Sequence, residues 1–379
     1  MLSSSLVLFT GKGGVGKTTN AAAAAARCAA TGRKTIVVSA DPAHSLADVL
    51  NVPLGAEPTL VSESLFAAHL DGTAEFHRAW GKIRAYLGTI LTASGLNEVT
   101  SAQVLTPPGA AELGARVALN ALVDSATYEV VVVDCAPTSE TLRLLALPTA
   151  LDWFLARVNP GSMLKSLWHR GTGIPLPGSD VLSALDELRA SLSAVEAMLR
   201  APTASIRLVS GLERVVIAET RRLFTTLTVL GYHVDGVVAN RVMSLGEREW
   251  PTEWARAHQV AISDLHDSFP DYPVWTVPFL AHEPIGCRAL AEVGFASYGA
   301  SGVIGQERTE PMVVTPNSLT LPTGFADDAQ LRVAVAGTDL VITIDGHRRL
   351  IALPEALSGR PVRQARLRDG ELRLSFGSP

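Results

Sequence analysis

Runs of β-branched and other apolar residues recur along the first 280 positions, with helical patterns between them. Continuous apolar runs of about six residues are typical of parallel strands that are covered on both faces. An alanine-rich stretch from Asn20 follows the first run and predicts a helix. The alternation predicts an α/β fold with a doubly wound, mainly parallel sheet. The predicted strands occupy residues 6–10, 35–40, 128–133, 205–211, 234–241 and 274–279.

Two segments between these runs have helical spacing. Residues 57–124 are predicted to be mostly helical, with a distinct helix over 110–123. Residues 151–202 are predicted to form a helical insertion. Its second half carries apolar residues at helical spacing, which ordinary core packing would explain. These residues are Leu182, Leu185, Leu188, Leu192, Val195 and Leu199.

The pattern changes after a polar stretch at 305–311, which we interpret as a linker. From 319 to 376, short runs alternate apolar and polar residues and are separated by Gly and Asp-Gly turns. Closely spaced strands without helices predict an antiparallel β-sandwich. The predicted domains are therefore residues 1–304 and residues 312–379.

The first apolar run leads into a glycine-rich loop. Gly11, four further residues and Gly16-Lys17-Thr18 match the phosphate-loop pattern in full. Glycines let successive backbone N–H groups converge on an anion, and the following helix directs its positive end at it. We expect Lys17 to reach the β- and γ-phosphates and Thr18 to ligate Mg²⁺. The predicted nucleotide-binding residues of the loop are Gly11, Lys12, Gly13, Gly14, Val15, Gly16, Lys17, Thr18 and Thr19.

Acidic residues follow two later strands at the edge where α/β sheets place their ligands. Asp41 follows 35–40, and two roles fit it: orienting an attacking water or capping a helix. Asp134 follows 128–133 and suits a Mg²⁺ shell within a segment that senses the γ-phosphate. Together with Thr18, these carboxylates form the predicted Mg²⁺ site, acting directly or through water.

Composition excludes several classes of protein. The chain has 379 residues, is 47% hydrophobic and 18% charged, and has a net charge of −5, so nucleic acid is not an expected partner. Its three cysteines are scattered without a CxxC pair, which favours a reducing compartment and argues against structural zinc. No apolar run has the length of a membrane span, and no signal-peptide pattern begins the chain. We therefore expect a cytoplasmic protein.

The motifs together resemble the arsenite-pump and tail-anchored-protein-targeting ATPases, the ArsA/Get family. The matching segments are 11–19, Asp41-Pro-Ala-His-Ser-Leu and Asp134-Cys-Ala-Pro-Thr with its following leucine-rich run. The resemblance covers about residues 1–301 and implies Mg²⁺-dependent hydrolysis of ATP. It assigns Asp41 to the hydrolytic water and Asp134 to Mg²⁺ support.

The same resemblance implies further roles. Lys12 is a second lysine inside the loop, as in ATPases where this lysine reaches the nucleotide of the facing subunit, so it implies a homodimer. Lys12, Lys17 and Asp41 are the predicted catalytic residues. Asn240 is expected to recognise adenine. Pro278 and Phe279 are expected to form an apolar surface against which the adenine base packs.

The cysteine positions depart from the family pattern, and this limits which cofactors we expect. Targeting relatives carry a zinc-binding CxxC between the positions of Asn240 and Pro278, and this chain has none, so no zinc is expected. The positions of Cys28, Cys135 and Cys287 do not match the three thiolates that hold arsenite in pump ATPases. The expected cofactors are ATP and Mg²⁺.

The last run of the chain contains Leu353-Pro354, Val362, Ala365 and Gly370-Glu-Leu-Arg-Leu-Ser-Phe376. In this pattern the C-terminal region resembles the α-crystallin domain of small heat-shock proteins. We therefore favour an ATP-driven factor that handles hydrophobic protein segments, held by the helical insertion and this domain. The alternatives are the energising subunit of an anion or metalloid exporter with a membrane partner, a septum- or partition-type positioning ATPase, and a β domain that only regulates the ATPase.

Overall fold

A computed structural model describes residues 4–41, 45–70, 81, 85, 110–136, 178–243, 252–299, 312–326, 331–336, 338–344 and 347–377. The chain forms two compact units. The first comprises Met1–His69, Ala126–Leu142 and Leu199–Pro379, and the second comprises Leu70–Ser125 and Arg143–Met198. The first half of the predicted helical insertion lies outside the described residues. The predicted boundaries of that insertion and of the two domains stay predictions.

The centre of the first unit is an eight-stranded sheet. Its strands are β1 (Ser5–Thr10), β2 (Thr35–Ser39), β3 (Thr59–Ser62), β4 (Leu65–His69), β5 (Val130–Asp134), β6 (Ala204–Ser210), β7 (Val234–Val242) and β8 (Val274–Pro278). The spatial order is β3-β4-β2-β5-β1-β6-β7-β8. Neighbours are parallel except β3 and β4. The chain builds outward from β1 in both directions, which confirms the predicted doubly wound sheet.

The described helices are α1 (Lys17–Ala29), α2 (Ser45–Leu50), α3 (Ala110–Asp124), α4 (Ser179–Leu199), α5 (Arg214–Leu230), α6 (Thr252–Ser268) and α7 (Cys287–Tyr298). Helices α1 and α7 approach closely, since a Cβ on Gly294 of α7 would collide with the backbone carbonyl oxygen of Ala23. Six consecutive alanines of α1 are almost fully buried in the sheet core. The alanine run is therefore a packing surface.

In the second unit, helices α3 and α4 lie where the spacing predicts them. Within α4, Leu188 and Val195 of the apolar stripe are buried, whereas Leu182 is 39% exposed. The stripe is therefore buried at Leu188 and Val195 and exposed at its N-terminal end.

The prediction of a mostly helical segment over 57–124 is wrong at its beginning. Residues 59–62 and 65–69 are strands β3 and β4. Strand β4 pairs in parallel with β2, from Thr35 opposite Leu65 to Ser39 opposite His69. Its two alanines favour helix locally, but the open edge of β2 provides backbone partners that a local pattern does not reveal.

The C-terminal region forms two antiparallel sheets, as the alternation predicts. One has the order β14-β15-β10-β9 and the other β11-β12-β13. Leu319, Leu340 and Leu374 are completely buried in the apolar core of these sheets. The strands are β9 (Val313–Val314), β10 (Ser318–Pro322), β11 (Leu331–Ala336), β12 (Asp339–Ile344), β13 (His347–Ala352), β14 (Val362–Arg368) and β15 (Glu371–Phe376).

This C-terminal region packs against helix α5 within the first unit. Val229 of α5 belongs to its apolar core. The Arg349 Nη1 donates a hydrogen bond of 3.0 Å to the Val229 carbonyl oxygen. The Phe325 backbone N–H donates to Thr225 Oγ1 at 2.9 Å, and its ring lies edge-on to Phe224. Helix α5 therefore contacts both the large sheet and the C-terminal sheets.

Candidate functional site

The phosphate loop lies between the end of β1 and the start of α1, as predicted. Gly16 precedes α1 with φ 92°, and Gly14 has φ 80°, a region that side chains with a Cβ rarely adopt. A Cβ on Gly11 would collide with the carbonyl oxygen of Val209, and one on Gly16 with the Asn240 amide. The glycines are therefore required by backbone conformation and by close approach of β6 and β7.

Lys17 opens helix α1 and lies over the loop. It is 6% exposed, and its Nζ donates a hydrogen bond of 3.3 Å to the Lys12 carbonyl oxygen. The next residue, Thr18, has its hydroxyl 3.1 Å from that of Ser45, the first residue of α2. An ammonium and a hydroxyl thus stand at the positive end of the helix, as phosphate and Mg²⁺ recognition requires.

Asp134 ends β5 and lies in register with Ser39 of β2 and Phe9 of β1. It is completely buried, and its Oδ2 lies 3.5 Å from Ser39 Oγ. Burial raises the pKa of the Asp134 carboxyl to about 7, although the Thr18 hydroxyl and the Lys17 ammonium oppose this shift. Near neutral pH, both the neutral and the charged form of this carboxyl are therefore populated.

The Asp134 Oδ1 accepts no hydrogen bond of standard geometry from the part of the chain that the structure describes. A buried carboxylate oxygen of this kind is costly unless a cation or a donor satisfies it. Mg²⁺ prefers oxygen ligands and keeps several waters. The hydroxyl of Thr18 and the carboxyl of Asp134 are therefore oxygen groups of the kind that fit Mg²⁺.

Asp41 stands two residues beyond β2 and is half-buried. Its backbone N–H donates to Ser39 Oγ at 3.2 Å. Its negative charge is near enough to raise the pKa of Asp134 further. The structure thus brings Asp41, Asp134 and the phosphate loop to one edge of the sheet, because β2, β5 and β1 are adjacent parallel strands.

Asn240 approaches the loop from the opposite side. Its Nδ2 donates a 2.7 Å hydrogen bond to the Val15 carbonyl oxygen, and the residue is 7% exposed. Strand β7 has a register irregularity at this point, and Arg241 has φ 60°. An amide has two N–H donors and one acceptor, so the contact with Val15 leaves a donor and an acceptor for a base edge.

Pro278 and Phe279 lie beside the end of β7. Pro278 is opposite Val242 and exposed, and the half-buried Phe279 donates its backbone N–H to the Val242 carbonyl oxygen at 2.9 Å. Both residues are therefore close in the sheet to the strand that carries Asn240.

Lys12 has a partner that sequence reasoning missed. Its Nζ lies 3.4 Å from Glu219 Oε2 on α5, and the two side chains are 40% and 28% exposed. No spacing signal could have found this pair, because 207 positions separate the residues. Ser39 and Ser45 were also missed, since single serines after a strand or before a helix are common.

The three cysteines do not converge. Cys28 and Cys135 are buried, and Cys287 donates to Ser62 Oγ at 3.4 Å. Burial raises the pKa of Cys28 to about 11, so its thiol is a poor metal ligand at neutral pH. Within the described residues, no three His, Cys, Asp or Glu side chains form a group that could hold a metal.

A phosphate loop with acids on the adjacent strands defines a protein of the phosphate-loop nucleotide-hydrolase class. Comparison with known families specifies it further. Residues 4–298 match the family described as anion-transporting ATPase, and residues 317–376 match the HSP20-like domain found in ArsA proteins. The chain belongs to the anion-transporting ATPase family and carries the HSP20-like domain at its C-terminal end.

Three relatives that cover 78% or more of this chain support this assignment. One is a "Putative arsenical pump-driving ATPase" from Chlorobaculum tepidum, 31% identical, with 98% of this chain and 95% of the relative covered. A protein of the same name from Prosthecochloris vibrioformis is also 31% identical over the same shares. "Putative arsenical pump-driving ATPase 1" from Aquifex aeolicus is 30% identical over 78% of each chain. Among the described residues, no helix is both long and apolar enough to cross a membrane.

Proposed function

We propose that the protein hydrolyses ATP to ADP and phosphate at the phosphate loop in an Mg²⁺-dependent reaction. The observation that carries this proposal is the buried Asp134 carboxyl beside Lys17 and Thr18 at the start of α1. A bound Mg²⁺ would neutralise charge on the β- and γ-phosphates. Thr18 would hold it directly, and Asp134 would hold it through water.

The chain's own residues supply the remaining chemistry. Lys17 and the loop N–H groups stabilise the negative charge that develops on the transferring phosphoryl group. Asp41 orients the attacking water from the end of β2. Asn240 presents its amide to the adenine edge, and Pro278 and Phe279 form the apolar surface against which the base packs. Support for this arrangement is the position of Asn240 against Val15 and the pairing of β7 with β8.

The working form is a homodimer in which Lys12 acts on the nucleotide of the facing subunit. Support for it is the loop sequence with its second lysine. The nucleotide cycle opens and closes the dimer, as γ-phosphate-sensing loops do in other nucleotide hydrolases. The cycle serves the handling of hydrophobic protein segments, with the HSP20-like region as a protein-binding element in the cytoplasm.

A second candidate is the energising subunit of an anion or metalloid exporter with a membrane partner. The family description and the printed names of the relatives favour it. Arsenite stimulation of turnover would support this candidate. The separated cysteines of the described residues offer no thiolate triad for arsenite.

The test uses Asp41→Asn, which should bind ATP and hydrolyse it slowly. We would measure phosphate release with and without Mg²⁺, and identify by mass spectrometry what copurifies with the ATP-loaded variant. Enrichment of proteins with one exposed hydrophobic segment supports segment handling, whereas one stoichiometric polytopic protein supports the exporter. Wild-type turnover in both Asp41→Asn and Lys17→Ala would refute the assigned roles.

A further inference from the structure

The Lys12–Glu219 ion pair joins the phosphate loop to helix α5. We infer that Glu219 is a positioning residue: its carboxylate holds the Lys12 ammonium on α5, and ATP phosphates compete for that ammonium when nucleotide binds. This inference rests on the proposed function, because the competitor is the nucleotide that Lys12 is proposed to reach, which is bound to the facing subunit. It adds a named partner for Lys12 within the same chain.

Glu219 is held in place by its neighbours on α5. Thr220 is 5% exposed, and its Oγ1 donates to Ser210 Oγ at the end of β6 over 3.0 Å. Ile217 is also buried, at 2% exposure. The backbone under Glu219 is therefore fixed against the large sheet.

Lys12 is held on its backbone side as well. Its carbonyl oxygen accepts a 3.3 Å hydrogen bond from Lys17 Nζ. Lys12 is therefore held at two points: its carbonyl oxygen by the Lys17 ammonium, and its own ammonium by the Glu219 carboxylate.

The Lys12–Glu219 ion pair is weak enough for phosphates to displace the Glu219 carboxylate. The side chains are 40% and 28% exposed, so water and salt screen their attraction. Pairs of this kind shift an equilibrium only about 1.5- to 5-fold. A triphosphate carries more charge than one carboxylate and can displace it. The pair therefore lowers ATP affinity modestly and keeps Lys12 ordered before nucleotide arrives.

The pairing itself can be tested without nucleotide. The chain has five lysines, at positions 12, 17, 34, 82 and 165, so ¹³C-dimethylation gives a short NMR spectrum of the full chain. We expect Glu219→Gln to move the resonance that is lost in Lys12→Ala. Glu213→Gln removes an exposed carboxylate from the start of the same helix and should leave that resonance in place. A Lys12 resonance that is unchanged by Glu219→Gln overturns the inference.

Competition is tested by a double-mutant cycle on the affinity for a non-hydrolysable ATP analogue with Mg²⁺. Glu219→Gln should tighten binding about 1.5- to 5-fold more in the wild-type background than in Lys12→Ala, with a larger difference at low salt. Equal tightening in both backgrounds would mean that Glu219 weakens nucleotide binding only through its negative charge and not through Lys12. That result overturns the proposed competition. Absence of analogue binding by the wild type refutes the proposed function, while the NMR result still decides the pairing.

Discussion

Asn240 and Val15 are 225 positions apart and joined by a 2.7 Å hydrogen bond from the Asn240 side-chain amide to the Val15 carbonyl oxygen. The bond ties the end of β7 to the phosphate loop. Gly16 lies so close to the same amide that a Cβ there would collide with it. Asn240 therefore supports the loop in addition to its proposed contact with adenine.

Replacing Asn240 with Asp should weaken nucleotide binding. The new carboxylate has no N–H to donate, so the Val15 carbonyl oxygen would lose its hydrogen bond from residue 240. Leaving a buried acceptor without a donor costs about 1–3 kcal/mol of free energy. We expect a loss of about 5- to 150-fold in affinity for a fluorescent ATP analogue. Asn120→Asp on α3 is the control, because Asn120 lies in the second unit and bonds only within its helix to Asp124 among the described residues. Unchanged affinity in Asn240→Asp would contradict the role of Asn240 in supporting the loop.

Asp134→Asn should stabilise the nucleotide-free protein at pH 8 while it removes Mg²⁺-dependent turnover. Burial raises the pKa of Asp134 from 3.8 to about 7. The folded state then holds a proton that the unfolded state has released, so wild-type stability falls as pH rises from about 4 to 7. The penalty is present in full above pH 7 and is at most a few kcal/mol.

The measurement is urea unfolding of both proteins at pH 5 and pH 8 without Mg²⁺. The variant's advantage should be large at pH 8 and shrink at pH 5. Asp267→Asn on the exposed side of α6 controls for loss of one negative charge. A pH-independent difference would show that the buried carboxyl does not titrate in this range.

Asp235→Ala should cost about 3–5 kcal/mol of unfolding free energy, because it removes the charge partner of a buried arginine. Arg207 in β6 is completely buried and donates to both Asp235 oxygens, at 3.1 and 2.7 Å. Its guanidinium also lies 4.0 Å from the centre of the Trp275 ring. The variant is measured by chemical denaturation.

An exposed pair of the same chemistry is the control. Arg221 and Asp264 are also 2.7 Å apart, but their side chains are 32% and 50% exposed. Asp264→Ala should therefore cost no more than about 1 kcal/mol. Similar losses for the two variants would mean that burial does not decide the strength of these pairs.

Gly231→Ala should be more damaging than Gly32→Ala, although both glycines have φ 84°. The left-handed conformation costs an alanine about 1–2 kcal/mol at either position. At Gly32 a Cβ would meet no atom within 4 Å, whereas at Gly231 it would lie 2.5–2.8 Å from the Arg349 guanidinium. Moving Arg349 breaks its bond to Val229 and loosens the C-terminal sheets from α5.

The test compares unfolding free energies and hydrogen exchange in β12 and β13. Gly231→Ala should cost about 1 kcal/mol more than Gly32→Ala and increase exchange in those strands. In an Arg349→Ala background the excess should vanish, since the colliding group is gone. An excess that persists there would locate the strain elsewhere.

The sequence alone determined the features that depend on local pattern. The order of apolar runs, glycines and helix formers was enough to place the phosphate loop between β1 and α1, because local backbone demands select these residue types. The alternating C-terminal runs predicted two-faced antiparallel strands for the same reason. The acids Asp41 and Asp134 were recognisable because parallel strands end at one edge of a sheet.

Tertiary structure alone decided which distant groups meet. Strand β4 exists because β2 offers an edge for pairing, and the local pattern of 57–69 had predicted helix. The contacts of Lys12 with Glu219, of Asn240 with Val15 and of Arg349 with α5 join residues more than 100 positions apart. Such pairs leave no periodic signal, because the strand order and the packing of α5 bring them together.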